Sequence, residues 1–410
     1  MSGATKLHEL RLGWRPLVAS VTGVMCSIIS ITFYTQGVFL GPVTEEFGWQ
    51  RGQVQMGFAI MMLSTIATSP MVGAIIDRLG ARRIAIAGLI GHGTGYVALS
   101  QITDSLPLFY FLWALMAVLA AGTLPVTWTG VVSEWFDKSR GLAIGLTMSG
   151  TGIAALTAPP YSAWLMGQFG WRGAYAGLGL TLVVASLPVV FFYFHQRDRI
   201  QPKSARASVP QIESGCTVSE ALRSYRFWAF GLALLILTTA IAGVIPNFVP
   251  ILTDAGFSLV EAARFASAIG LSVIVGRFVA GVVIDYVWAP ALAAIIYLLP
   301  MLSILMLVYA DFNEATILLA AVSLGLAGGA ELDLMAYVVS RYFGMRHYGT
   351  IYGAIYGFFA VAAALAPMAF GATFDKTGSY EPMMLLSAGL LVAAVVFLLS
   401  MGAYPQWNRS

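Results

Sequence analysis

The sequence predicts an all-α membrane protein whose twelve transmembrane helices form two pseudo-symmetric six-helix bundles. Three observations lead there. Apolar stretches of the length that crosses a bilayer, about 20 residues, recur along the whole chain. Basic residues sort by loop with a strong one-sided bias. Several marked positions repeat at a nearly constant offset of about 207 residues, as a duplicated six-helix unit would.

The apolar stretches come first. Hydrophobic residues make up 59% of the chain and charged residues 10%, with a mean hydropathy of +0.81. That composition excludes an ordinary soluble domain. Spans are expected near 16–40, 52–76, 83–102, 107–133, 141–166, 172–194, 227–251, 260–284, 289–310, 315–340, 349–373 and 381–402. Helices are the default because a spanning helix satisfies its own backbone, and these segments lack the polar alternation of barrel strands. Lys6, Arg11 and Arg15 precede a first span that is too long for a cleavable signal and has no small-residue cleavage site.

The charges then orient the spans. Of the 22 lysines and arginines, seventeen fall on the N-terminus, the even-numbered gaps and the C-terminus, including Arg78, Arg82 and Arg83. The odd-numbered gaps hold four: Arg51, Arg172, Arg264 and Lys376. This bias predicts that both termini are cytoplasmic, in a bacterial inner membrane. One basic residue, Arg277, belongs to neither set. The net charge of +3 reflects orientation and gives no reason to expect a nucleic-acid partner.

The offset divides the chain. Gly73 and Asp77 match Gly281 and Asp285, and Pro42 matches Pro250, at 208 residues; Phe136, Gly150 and Pro160 match Phe343, Gly357 and Pro367 at 207. The long polar stretch 196–219, rich in Arg, Ser and Pro, separates six spans from six. The expected organisation is a first bundle over 1–195, a cytoplasmic linker over 196–225 and a second bundle over 226–410. In such parallel repeats the substrate binds between the halves.

The turn between spans two and three reads Gly73-Ala-Ile-Ile-Asp77-Arg78-Leu-Gly80-Ala-Arg82-Arg83. Its glycines allow a tight turn and close helix approach, and its acid can accept hydrogen bonds from a helix N-terminus or pair with the arginines. It resembles the signature loop of the major facilitator superfamily, GxxxDRxGxRR. The resemblance implies a state-dependent latch between the halves built from Gly73, Asp77, Arg78, Gly80 and Arg82. Only Gly281 and Asp285 survive in the second copy, where Tyr286, Val287 and Trp288 replace the basic part.

Span five opens with Trp135-Phe136-Asp137-Lys138-Ser139-Arg140-Gly141-Leu142-Ala143-Ile144-Gly145, followed by Gly150 and Gly152. This run is similar to the aromatic-Phe-x-Lys-x-Arg-x-Leu-Ala-x-Gly pattern of the monocarboxylate transporter branch. The acid-Gly-Gly-aromatic-x-Trp pattern with which that branch begins span one is missing, which suggests a bacterial relative rather than a close copy of the animal members. Arg277, in Gly276-Arg277-Phe-Val-Ala-Gly281, resembles the span-eight arginine of the monocarboxylate and oxalate/formate exchangers.

Arg277 is the focal residue on physical grounds too. A guanidinium stays charged at any physiological pH, and in a bilayer it must face protein or a wet cavity. Counting back from Asp285 puts it roughly 12 Å into the membrane, near the depth where such transporters bind substrate. It is expected to clamp a substrate carboxylate in bidentate fashion; the alternative is a structural ion pair with an acid of another span. Span ten supplies the acids, Glu331 and Asp333. Acids inside a span are uncommon and usually functional. Two residues apart, they diverge by roughly 200° around the helix, so one of them is expected to face the cavity and to couple proton binding to substrate binding.

The oxalate/formate resemblance also carries a span-eleven lysine, and span eleven here has no Lys or Arg before Lys376. Tyr352 and Tyr356 share a helix face there and are expected to line the cavity, with Tyr34 and Trp128 from the first half and Tyr337 and Phe359 as further candidates. One fixed charge beside aromatic walls fits a monocarboxylate better than a dicarboxylate. His92 reads as a packing residue, and Cys26 and Cys216 as inert.

No nucleotide-binding loop, metal-ligand spacing or nucleophile–base set is present, so neither a cofactor, a metal nor an enzymatic activity is expected. The expected function is proton-coupled symport of a monocarboxylate, aliphatic or aromatic, by alternating access, with a monomer as the working unit. The alternatives are organic-anion exchange without protons, drug/proton efflux, and a transporter-like sensor, which a long soluble output domain would favour.

Overall fold

The computed structural model describes residues 2–136, 139–196, 215–284, 286–344 and 346–405, without the side chains of 2–8, 10, 70 and 77. Lys138, most of the linker, Asp285 and the side chain of Asp77 therefore lie outside the described residues. Among the described residues the regular structure is helical, apart from one isolated bridge between Gly215 and Gly344.

Helices α1 (Ser2–Met25) and α2 (Ile28–Phe47) make the first crossing, broken at Cys26–Ser27. Helices α3 (Arg51–Leu79) and α4 (Ala81–Leu99) are the second and third. The fourth is also broken: α5 (Leu106–Leu119), a 3₁₀ turn over Ala121–Thr123 and α6 (Pro125–Trp135). Helices α7 (Arg140–Met148) and α8 (Gly150–Tyr193) hold the fifth and sixth. They reverse at Gly170, whose φ of +65° favours a residue without Cβ. The reversal places the Tyr161 hydroxyl 2.7 Å from that of Thr181, which a straight helix would hold about 30 Å away.

A short helix α9 (Val218–Arg223), with Thr217 and Glu220 forming a capping box, leads into the second half. There the crossings are α10 (Tyr225–Asp254), α11 (Leu259–Val283), α12 (Ala289–Tyr309), α13 (Glu314–Phe343), α14 (Tyr348–Thr377) and α15 (Glu381–Leu399). Eight helical stretches are individually long and apolar enough to span a membrane. One of these is the Gly170 hairpin, which crosses twice; with α3, α4 and the α5–α6 pair the described residues make twelve crossings.

The two bundles meet with the symmetry of the duplication. Spans two and eight occupy equivalent places in the repeat, as do five and eleven. The major contacts between bundles are span two with eleven (α3 on α14) and eight with five (α11 on α8), while spans one and seven (α2 on α10) meet on the axis. Small residues make these approaches close. A Cβ at Gly270 would stand 2.1 Å from the Leu156 nitrogen, and one at Gly37 would stand 2.0 Å from the Pro246 carbonyl oxygen. In lipid such backbone contact is what favours helix association, since the surrounding acyl chains are as apolar as leucine.

Candidate functional site

Three glycines bring Arg277 to its acids. A Cβ at Gly276 of α11 would lie 2.3 Å from the Leu326 carbonyl oxygen of α13. In return, Cβ atoms at Gly325 and Gly329 would meet the carbonyl oxygens of Ile269 and Val273 at 2.4 and 2.1 Å. Spans eight and ten thus touch backbone to backbone over the two turns that lead up to Arg277. Arg277 is buried, with an exposure of only 7%, and its Nη1 stands 3.9 Å from Asp333 Oδ1. That separation attracts, by about 4 kcal/mol at an effective dielectric constant near 20, but exceeds hydrogen-bond length. Arg277 Nε has no hydrogen-bond partner among the described residues. The guanidinium is therefore buried, fixed in charge and short of acceptors.

Two cavities meet at this residue. The wider, about 760 Å³, runs from mid-depth past Asp333, Tyr352 and Tyr356 to Ser133 and Tyr348, which lie at the end of the molecule bearing the chain termini (the near end). The narrower, about 120 Å³, extends beyond Arg277 toward the opposite (far) end and is lined by Tyr34, Phe359 and Glu331 among others. Ile29, Met148, Arg277, Leu332 and Tyr356 border both and form the neck.

The two acids part company here. Asp333 lies in the wider cavity beside Arg277, whereas Glu331 is buried in the inner chamber and accepts a hydrogen bond from the Thr238 hydroxyl. The expectation that one acid faces the cavity is thereby modified: the turn of the helix sends each to a different cavity. Tyr348, Tyr352, Tyr356 and Phe359 make a ladder of rings along α14, with centroids 5.6, 6.4 and 5.2 Å apart, leading from the mouth to the chamber.

Trp128 requires correction. It is wholly buried and lines neither cavity. Its indole N–H donates to the Thr123 carbonyl at 2.9 Å, and its ring fills the space a Cβ at Gly23 would need. A large aromatic inside a span gives the same sequence signal whether it faces a cavity or a neighbouring helix. Tyr337 also lies off both cavities, under the Arg341 guanidinium. His92 is buried, and its Nδ1 donates to the Cys26 carbonyl, 3.1 Å away, an oxygen freed by the break in span one. Thr123, in the break of span four, accepts the Ile28 N–H at 3.1 Å, so the two breaks are tied together.

In the loop between spans two and three, Gly80 adopts φ +83°, where glycine is favoured, and joins α3 directly to α4. Arg82 donates to the Phe191 carbonyl and stacks 4.7 Å over its ring, so it engages its own bundle. Arg78 is exposed, and Gly73 and its repeat mate Gly281 both face open space.

At the far end stands a feature that the sequence did not reveal. Arg51, which reads there only as a loop charge, joins four residues of the other bundle. Its Nη1 and Nη2 donate to the two carboxylate oxygens of Asp254 at 2.6 and 2.7 Å, and Nη1 also donates to the Tyr380 hydroxyl at 2.9 Å. The guanidinium lies 3.7 Å over the Phe374 ring. The backbone N–H groups of Arg51 and Gly52, which open α3 without intrahelical partners, donate to Asp375 at 2.9 and 2.7 Å. One layer deeper, Gln55 donates to Asn247 at 2.6 Å. The only forewarning was one basic residue at a helix start and acids at the ends of spans seven and eleven.

A family model described as Major Facilitator Superfamily matches residues 22–367. The chain belongs to that superfamily. It is 23% identical to the MFS-type transporter YhjX of Escherichia coli (strain K12), over 88% of each chain. It is 25% identical to monocarboxylate transporter 11 of Homo sapiens, covering 93% of this chain and 81% of that one. Monocarboxylate transporter 13 of Rattus norvegicus is 24% identical, with 95% and 89% covered. Among solved structures, a bacterial homologue of the human lysosomal transporter Spinster, inward-facing and unoccupied, aligns with a TM-score of 0.68 over 94% of both chains, at 17% identity. That last likeness speaks for the fold. This superfamily member is an integral membrane transporter, not an enzyme.

Proposed function

We propose that this transporter carries a monocarboxylate across the bacterial inner membrane, in symport with a proton, with both termini cytoplasmic. The observation that carries the reading is the state of Arg277: buried between the bundles, at the junction of two cavities, with Asp333 too distant to hydrogen-bond it. An incoming carboxylate supplies the missing acceptors and makes two parallel N–H···O bonds, which a lysine cannot imitate. The relatives named monocarboxylate transporters support the same class.

Coupling is assigned to the acids of span ten. When a carboxylate takes Arg277, Asp333 is left without its partner guanidinium and stands in the wider cavity, placed to receive the proton. Glu331, held by Thr238 in the chamber, is the second candidate carrier. One proton moved with one monoanion makes the step electroneutral and avoids about 2.3 kcal/mol per charge at 100 mV. On this orientation the wide cavity opens to the cytoplasm, and the loop of Gly73, Asp77, Arg78, Gly80 and Arg82 acts as a latch when the near end closes.

Proteoliposomes with an imposed pH gradient, offered a panel of labelled carboxylates, test the reading. Arg277→Lys is expected to lower uptake by about ten- to a hundred-fold, the loss of one charged hydrogen-bonded contact. Full activity in that variant, or uptake of no carboxylate by the wild type, defeats the proposal. Glu331→Gln and Asp333→Asn are expected to slow proton-driven uptake more than counterflow exchange. Wild-type rates in both assays would remove the coupling role.

A further inference from the structure

Resting on the carboxylate reading, the inner chamber decides what the rest of the substrate is. We propose that the chamber beyond Arg277 is a tail pocket that selects a short apolar chain, of about four to six carbons, and rejects a second carboxylate.

The neck fixes the substrate's direction. A carboxylate on Arg277 has the wide cavity on one side and the chamber on the other, and only the chamber is small enough to measure a tail. Its volume is about 120 Å³. For scale, a cavity of about 150 Å³ lined by Leu, Ile and Phe accepts benzene, so a chain of about four to six carbons fills this one. Its wall is apolar on most sides: Phe33 and Met62 from the first bundle, with Ile241, Ile245, Val273 and Ala363 from the second. Both bundles contribute, so a bound tail touches each half. Farther along the same spans the two bundles are joined by the Gln55–Asn247 pair and by the close contact of Gly37 with Pro246.

Charge completes the selection. Arg277 is the sole basic residue along either cavity among the described residues. The chamber's carboxyl-bearing wall residue is Glu331, which brings no positive charge. A tail ending in a carboxylate would find no second cation in the chamber, and desolvation of that second charge would go uncompensated.

Gly328 offers a direct handle. It lines the chamber, and a Cβ there would meet Ile241 and Ile245 at 3.7 and 4.0 Å, which is ordinary contact. Gly328→Ala therefore narrows the chamber by one methyl group without a clash, and alanine is the better helix former. Met62→Ala does the opposite and widens it.

The test is competition by straight-chain monocarboxylates of two to ten carbons, and by succinate and glutarate, against uptake of a labelled carboxylate in proteoliposomes. Inhibition is expected to strengthen by roughly four-fold for each methylene buried, to peak when the tail holds about four to six carbons, and then to fall. The dicarboxylates are expected to compete at least ten-fold more weakly than monocarboxylates of equal length. Gly328→Ala should move the peak about one carbon shorter and Met62→Ala about two carbons longer. A flat dependence on length, or a peak that neither variant moves, overturns the tail pocket while leaving the role of Arg277 standing. Strong competition by the dicarboxylates overturns the charge selection. Insensitivity to every carboxylate overturns the underlying reading along with it.

Discussion

The two ends of the central cavity are built from equivalent repeats and yet hold opposite kinds of contact. At the far end the bundles are joined by polar groups with directional partners: Arg51 with Asp254 and Tyr380, the start of α3 with Asp375, and Gln55 with Asn247. At the near end the facing surfaces are bare. Cβ atoms at Gly130, Gly145, Gly349, Gly353 and Gly357 would meet nothing within 4 Å. A clasp of ion pairs is strong only when its geometry is met and is lost when the ends part. Smooth glycine faces make no such demand and leave room for helices to close on each other. The contrast suits a transporter that rests with one end shut and the other free to move.

The largest expected effect comes from filling the bare face. Gly353→Phe should leave the present arrangement intact but obstruct closure of the near end, lowering uptake by about ten-fold or more with little change in melting temperature. The matched change at the far end, Gly371→Phe, meets Gln55 and the Gly52 nitrogen at 2.3 and 2.9 Å and should lower melting temperature instead. Equal behaviour of the two variants would erase the distinction between the ends.

Next in size is Asn247→Ala, which strips the Gln55 amide of its acceptor inside the membrane. The arrangement closed at the far end should lose about 1–3 kcal/mol, read as a lower melting temperature in detergent. The smallest change is expected from Arg51→Ala. Its side chain and that of Asp254 keep 18% and 34% exposure, so solvent screening holds the loss to about 1–2 kcal/mol. Spin labels at Glu45 and Glu381 should then report a larger share of molecules with the far end open. An unchanged distance distribution would show that Arg51 does not hold the clasp.

Much of the fold is legible in the amino-acid sequence, because its signals are local. A run of apolar residues reports its own burial in lipid, and a basic loop reports its own side of the membrane. The break in span one was not foreseen, since Cys26 and Ser27 carry no Pro or Gly signal and the gap is sustained by His92 and Thr123 from other spans. At the site, Arg277 stood out because a charge in an apolar run is costly wherever the helix is turned. Tyr34, Tyr352, Tyr356 and Phe359 line the cavities and Trp128 does not, a difference that nothing in their neighbouring residues encodes.

The sequence by itself determined that the chain crosses a membrane twelve times, that its two halves are pseudo-symmetric, and that one permanent cation interrupts an apolar span of the second half. Only the tertiary structure decided which cavity each acid of span ten enters, and that Arg51 fastens the two halves. These are properties of how each helix is rotated about its axis against partners up to 329 residues away in the chain. In lipid an apolar residue gains little by facing protein rather than acyl chains, so hydropathy fixes a span's depth and leaves its rotation open. That rotation is set by glycine contacts and by polar groups seeking partners, and those partners are known only once the helices are packed.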